Sequence, residues 1–337
     1  MHMADALVSP AVAGTMYAVS AAAATYSVKE VKLEDLDKKV PAMGVMGAFV
    51  FATQMINFTI PGTGSSGHLC GGMLLSAILG PCAGFLTMIA ILVIQCLLFA
   101  DGGLLALGCN IWNMAFYGCF IGGFLIWRLM TGKRMTKGNI AAASVAGCIV
   151  GLQFGAFSVT IETLLSGITE LPFLVFLGMM QPIHLAIGLV EGLITASVLV
   201  FIYEARPEIL YGYAKDEEKA AGRMSAKSTV AVLAVLALLI GGVVSLFASG
   251  YPDGLEWSME KVAGTTELAA NGSLYQLAGR LQSITAFLPD YAFKGSESAA
   301  GTSVSGIVGG LFVLAVCLCV CVMIKKVKRR FENEQDK

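Results

Sequence analysis

Met1-His2 offers an α-amine, a backbone amide nitrogen and an imidazole in direct succession. An ion that takes all three closes a five-membered and a six-membered chelate ring. Square-planar or tetragonal nitrogen coordination of that kind suits Ni(II) or Cu(II) better than zinc or magnesium. Such a chelate needs a fourth donor, an uncleaved terminus and a dry scaffold. The chain has only two other histidines, His68 and His184.

His68 closes the stretch Pro61-Gly62-Thr63-Gly64-Ser65-Ser66-Gly67. The literal G-x-G-x-x-G there is not a dinucleotide fingerprint. It joins two apolar segments rather than a strand and a helix, and no acid follows at the required spacing. The lysine of a phosphate loop is also missing. Its glycines instead permit a sharp turn and a close backbone approach. Irregular backbone at membrane depth is tolerated where it is buried in protein or lines a cavity. Two readings stand for His68, a fourth ligand or a hydrogen-bonding residue at the membrane edge.

His184 lies in mid-segment, and Glu191 falls seven residues later on the same helix face. Buried ionisable residues of this kind are candidates for an ion pathway; the plainer reading of His184 is a packing hydrogen bond to a neighbouring helix, and His184 and Glu191 are also placed to pair. Gln54 and Asn57, like Asn110 and Asn113, are three apart and share a face. They are candidates either for orienting the imidazoles or for holding helices together. Glu162 is expected to cap the outer end of its helix. No nucleophile–base pair, zinc helix motif or ATPase motif occurs, so uphill transport would draw its energy from a partner or an ion gradient.

The elements that must position these groups are membrane helices. The 337 residues are 56% hydrophobic and 13% charged, with a mean hydropathy of +0.77, against roughly 25% charged residues in soluble domains. The net charge of −1 and the absence of a basic stripe outside loops give no sign of nucleic-acid binding. The nine cysteines form no CxxC pair, and Cys317-x-Cys319-x-Cys321 does not share one helix face. Apolar runs lie at 8–26, 41–60, 69–100, 104–127, 138–161, 172–203, 228–249 and 303–324, each near the 20 or so residues of a span. Gly80-Pro81 should divide the long run at 69–100, giving nine segments.

With the N-terminus outside, the inner loops 27–40, 128–137, 204–227 and 325–337 hold four, four, five and six basic residues, nineteen of the 22. Only Lys261, Arg280 and Lys294 stay outside, as the positive-inside rule asks. No basic residue precedes the first apolar run, which speaks against a signal peptide, and a bulky His2 favours retention of Met1. The expected architecture is an all-α, multi-pass protein of the cell (inner) membrane with a cytoplasmic C-terminus. A seven-helix metal-binding domain spans 1–204 and a cytoplasmic linker 205–227. An accessory two-helix domain follows at 228–337, with an extracytoplasmic loop at 250–302.

Met1-His2-Met3-Ala4-Asp5-Ala6-Leu7-Val8-Ser9-Pro10, Phe51 to Phe58, Ser66-Gly67-His68-Leu69, Asp101 to Gly108 and His184 to Gly192 together resemble the CbiM/NikM family. These are substrate-binding subunits of energy-coupling-factor transporters for cobalt and nickel. Pro252-Asp253-Gly254-Leu255-Glu256-Trp257 resembles their small accessory subunit, fused here behind the main body. The resemblance implies a seven-helix subunit whose N-terminus inserts into its core. It also implies a site of the Met1 amine, the His2 amide and imidazole, and His68. The ion, Ni²⁺ or Co²⁺, is the transported substrate, and no nucleotide is bound by this chain. Implied partners are a transmembrane coupling subunit and cytoplasmic ATP-binding subunits, within membrane lipid, and the accessory part would assist metal loading. The stretch Gly62 to Gly67 and the residues after His2 depart from the common pattern, which bears on ion preference. Two alternatives compete: a membrane assembly or sensor protein with structural histidines, and a secondary transporter driven by an ion gradient.

Overall fold

The structure, a computed structural model, describes all residues except 32, 214–223, 296–297, 299 and 336–337. The chain is an all-α polytopic membrane protein. Helix α1 (Pro10–Glu30) starts at Ser9, whose side chain accepts from the Val12 amide, with Pro10 in the first turn, where its missing N–H costs nothing. Helix α2 (Leu33–Gln54) leads to a hairpin of β1 (Phe58–Ile60) and β2 (Ser65–Gly67), antiparallel with Ile60 opposite Ser65. Helices α3 (Gly72–Leu79) and α4 (Pro81–Phe99) follow, separated at Gly80, which has φ 85°. The break expected at Gly80-Pro81 is therefore present.

The next span, Leu107–Thr131, is α-helical at its ends, α5 (Leu107–Asn110) and α6 (Trp127–Thr131), and winds as a π-helix over Ile111–Ile126. Helices α7 (Lys137–Ser166) and α8 (Phe173–Ala205) form a tightly paired hairpin. The second unit contributes α9 (Ala226–Gly242), α10 (Gly254–Ala263), α11 (Ser273–Thr285) and α12 (Ala300–Gln335). Helix α12 packs along α2 and α9, and α10 rests on α8 and β2.

Among the described residues, five helices are long and apolar enough to cross a membrane: Pro81–Phe99, Leu107–Thr131, Lys137–Ser166, Phe173–Ala205 and Ala300–Met323. Two shorter apolar stretches, Ala42–Gln54 and Lys227–Gly242, accompany them. Two boundaries differ from those read in the sequence. Residues 33–40, expected within an inner loop, open α2; charge marks contact with water, which a helix tolerates as well as a loop does. The loop expected at 250–302 carries α10 and α11. Of the basic residues used to orient the chain, Lys32, Lys215, Lys219, Arg223 and Lys337 lie outside the described residues, as does the middle of the 205–227 linker.

The N-terminal octapeptide threads into the body. Met3, Leu7 and Val8 are at most 1% exposed. Burying each large side chain contributes about 1.5–3 kcal/mol relative to water, which offsets the ordering of a free chain end.

Candidate metal centre

Two asparagine contacts and one aspartate fix the path of the terminus. Asn110 accepts from the Met3 amide at 2.7 Å and donates to the Met3 carbonyl at 3.1 Å. The Gly103 amide donates to that carbonyl at 2.9 Å. Asp5 turns its carboxylate onto the amides of Leu105 and Ala106, at 2.7 and 3.1 Å. The chain before Met3 is thereby aimed at the hairpin.

The hairpin delivers His68 from the other side. Gly62 and Gly64, at φ 77° and 75°, make the turn in a conformation that side chains resist. Gly67 lies so close to α8 that a Cβ there would fall 2.6 Å from Cγ1 of Ile187. His68 Nε2 stands 3.1 Å from the Met1 amine, and its Nδ1 faces the Leu69 carbonyl at 3.0 Å. A proton on Nδ1 donated to that carbonyl leaves Nε2 bare. The rings of His2 and His68 stack with centroids 5.3 Å apart.

His2 is held at both ring nitrogens. Nδ1 lies 3.1 Å from Oδ1 of Asp101, and Nε2 lies 3.2 Å from Oε1 of Gln95. A proton on either nitrogen finds an acceptor, Asp101 at Nδ1 or Gln95 at Nε2, and the Nε2 tautomer is the one that leaves Nδ1 bare to close the six-membered ring. Asp101 accepts from the Tyr291 hydroxyl at 2.5 Å, and Gln95 donates to the same hydroxyl at 3.2 Å. Burial pushes the Asp101 carboxyl above its usual range, against the Tyr291 hydrogen bond and nearby positive charge.

The fourth group is Asp253, whose carboxylate pairs with the Met1 amine and lies 3.9 Å from His68 Nε2. Burial disfavours charge on the amine, yet the neighbouring groups, Asp253 foremost with Cys70 and Asp101, together more than offset this and raise its pKa above the ordinary value. Asp253 is in turn held below the carboxylate range: the amine and His68 outweigh the burial. Burial, then the charge on the amine, pushes His2 and His68 each down to about 3. Both imidazoles are thus neutral, as ligation requires.

A cavity of about 10 Å³ lies among Met1, His68, Cys70, His184, Asp253 and Gly254, room for about one water-sized species. No group of three or more His, Cys, Asp and Glu side chains with metal-binding spacing occurs among the described residues. What meets here instead is the Met1 amine with His68, and the His2 ring stacked on His68. Metal–imidazole bonds run about 2.0–2.1 Å, so neighbouring corners of a square-planar site lie roughly 2.9 Å apart. The 3.1 Å between the Met1 amine and His68 Nε2 is a hydrogen-bond distance and lies close to such an edge.

The remaining candidates divide. His184 Nδ1 meets the Met180 carbonyl at 2.8 Å, and its Nε2 is buried without a hydrogen-bond partner on the cavity wall. Glu191 accepts from the Gly71 amide at 2.9 Å and leaves Oε2 unpartnered, so the expected His184–Glu191 pair does not form. Each meets a backbone group instead. Gln54 donates to the Cys70 carbonyl at 2.7 Å and touches neither imidazole. Asn57 uses its carbonyl, accepting from Ser249. Asn113 donates to Glu162 at 2.7 Å and to the Met3 sulfur at 3.5 Å. Glu162 therefore receives a side chain from the neighbouring span instead of capping α7. The groups that do hold the His2 ring, Gln95 and Asp101, were not singled out from the sequence, and neither was Asp253. It stood only as part of the stretch resembling the accessory subunit, where an Asp followed by a Glu three residues on is the pattern of a capping box.

A family profile described as the cobalt uptake substrate-specific transmembrane region, CbiM, matches residues 2–209, and a PDGLE domain matches 227–326. The chain is 36% identical over 316 residues to a putative fused nickel transport protein NikMN of Archaeoglobus fulgidus, covering 94% of this chain and 96% of that protein. It is 29% identical to a probable fused nickel transport protein LarMN of Lactiplantibacillus plantarum, over 93% and 95% of the two chains. A cobalt transport protein CbiM of Geobacter sulfurreducens is 29% identical, over 78% of each. Among solved structures, a truncated transition metal transporter superposes with a TM-score of 0.52 at 32% identity, covering 60% of this chain and 99% of that one.

Proposed function

The chain belongs to the CbiM family of cobalt-uptake transmembrane proteins, with a PDGLE domain behind the CbiM region, and on that premise we propose that it captures Ni²⁺ or Co²⁺ for import at a four-nitrogen site. The donors are the Met1 amine, the His2 amide and Nδ1, and His68 Nε2. An amine–amide–imidazole chelate fills three corners of a square and leaves the fourth opposite the amide, beside the amine. The observation that carries the reading is the 3.1 Å approach of His68 Nε2 to the Met1 amine, which supports assigning His68 to that corner. His184, with its bare Nε2 on the same cavity, is the next donor inward, and Glu191 lies further along α8 as a pathway group.

Square-planar nitrogen ligation favours Ni²⁺ over Co²⁺. The positive-inside rule, which assigns the loops rich in basic residues to the cytoplasm, supports a site that faces outward. ATP-binding subunits and a transmembrane coupling subunit drive release to the cytoplasm.

The test is competitive binding of Ni²⁺ and Co²⁺ to purified protein that begins at native Met1. Tight binding should vanish in His2→Ala, in His68→Ala and in a protein carrying one extra residue before Met1. Normal binding by the extended protein would overturn the four-nitrogen site.

A further inference from the structure

Of the four proposed donors, the terminal amine alone has no ring or peptide plane to hold its direction. Bound to an ion it keeps two N–H groups, and in a buried site an N–H without an acceptor is costly. Something must accept from it and fix its rotation. Building on the four-nitrogen reading above, we propose that Asp253, supplied by the second unit, is the positioning residue of the metal site. Its carboxylate accepts an N–H of the Met1 amine and aims the nitrogen's lone pair at the ion.

The carboxylate is built for that place. Asp253 caps α10: its Oδ1 accepts from the amides of Leu255 and Glu256 at 2.8 and 2.9 Å, and Glu256 accepts from the Asp253 amide at 3.1 Å. This reciprocal capping box locks the side chain and leaves Oδ2 for the amine. The stretch itself is fastened to the hairpin that presents His68. The Ser66 amide donates to the Pro252 carbonyl at 2.8 Å, the Ser66 hydroxyl donates to the Tyr251 carbonyl at 2.7 Å, and Trp257 Nε1 donates to the Thr63 carbonyl at 3.0 Å. One hairpin therefore registers both neighbours of the amine, His68 and Asp253. Gly254 completes the fit, since a Cβ there would meet Cδ1 of Ile187 at 2.8 Å and Cε1 of His184 at 3.0 Å.

The arrangement resembles the carboxylates that orient metal-bound histidines, with an amine in place of the ring. It also places a negative charge beside a buried divalent ion, whose isolated burial is costly. Asp253 stays one atom removed from the ion and is not a ligand.

Asp253→Asn tests this in the full chain with native Met1. Asparagine caps a helix as well as aspartate does, but presents an NH₂ to the amine in place of an acceptor. Ni²⁺ affinity, read by competition with a chromogenic chelator, should fall about 10–100-fold. Amide hydrogen exchange over 249–263 and the visible absorption band of the bound nickel should stay unchanged. Asp253→Ser, which keeps a capping oxygen and does not reach the amine, should behave the same. Unchanged affinity in both variants would overturn the proposal. So would weaker affinity accompanied by faster exchange over 249–263, which would reduce Asp253 to a docking residue, or a shifted absorption band, which would make it a ligand. If the wild-type protein itself bound neither Ni²⁺ nor Co²⁺, the four-nitrogen reading would fall first and this inference with it.

Discussion

Gln95 presents its Oε1 3.2 Å from Nε2 of His2, on the far side of the ring from the nitrogen that the chelate needs. Fully buried in α4, it accepts from the tautomer with Nδ1 bare, opposing Asp101, which accepts from the other. Gln95→Leu removes that acceptor and leaves a buried ring N–H unpaired, so Ni²⁺ affinity should drop about 10–100-fold in equilibrium titration. Gln95→Glu keeps an acceptor there and should lose less. Equal affinity for the leucine variant and the wild type would remove Gln95 from the site.

His68 reaches the amine because β2 lies hard against α8. In Gly67→Ala the new Cβ would fall 2.6 and 2.8 Å from the Ile187 side chain, and both contacted atoms sit on a β-branched stem that cannot swing clear. Overpacking of this kind costs about 1–3 kcal/mol, and here it pushes His68 off its place. Thermal unfolding and metal titration should both register the loss. Gly67→Ala combined with Ile187→Ala should recover metal affinity over the single glycine variant, a recovery that a purely conformational glycine effect would not give.

The sequence made the convergence of Met1, His2 and His68 legible because histidine is so scarce: three residues in 337. The break at Gly80-Pro81 was legible for a similar reason, since proline's missing donor acts locally. What the sequence concealed is nonlocal. Asp253 stands 252 residues from Met1, in another unit, and no spacing rule relates them. Gln95 lies within an apolar run, where a lone amide reads as contact between helices. His184 and Glu191 are seven apart on α8, but such spacing says nothing about which backbone group each side chain will meet first.

Metal binding should strengthen steeply as pH rises through neutrality. With His2 and His68 pushed down to about 3, the imidazoles hold no protons to displace above about pH 5. The amine, burial notwithstanding, is raised by its neighbours, Asp253 foremost, and is protonated at neutral pH. An ion must expel that proton and the amide proton, so the metal-free state binds more protons and acid favours it. The apparent affinity should climb by roughly two powers of ten per pH unit, about two protons per ion. A profile that is flat from pH 6 to 8, or that bends near the ordinary histidine value of about 6.5, would contradict this proton count.

Tyr291 ties the second unit to the His2 pocket through a single hydroxyl. It donates to Asp101 at 2.5 Å and accepts from Gln95 at 3.2 Å, while its ring stacks on Phe99 with centroids 4.9 Å apart. Tyr291→Phe keeps the stacking and deletes only the hydroxyl. Gln95 then loses one of the contacts that fix its amide, and Asp101 loses a donor, so Ni²⁺ affinity should fall, though less than in Gln95→Leu. Because the hydroxyl acts on His2 partly through Gln95, the two substitutions should not add. The double variant Gln95→Leu with Tyr291→Phe should bind only slightly more weakly than Gln95→Leu alone, a coupling of about 0.5–3 kcal/mol, as for residues in one hydrogen-bond network. Additive losses would mean that Tyr291 acts on Asp101 independently, and that the grip on His2 Nε2 comes from Gln95 without help from the second unit.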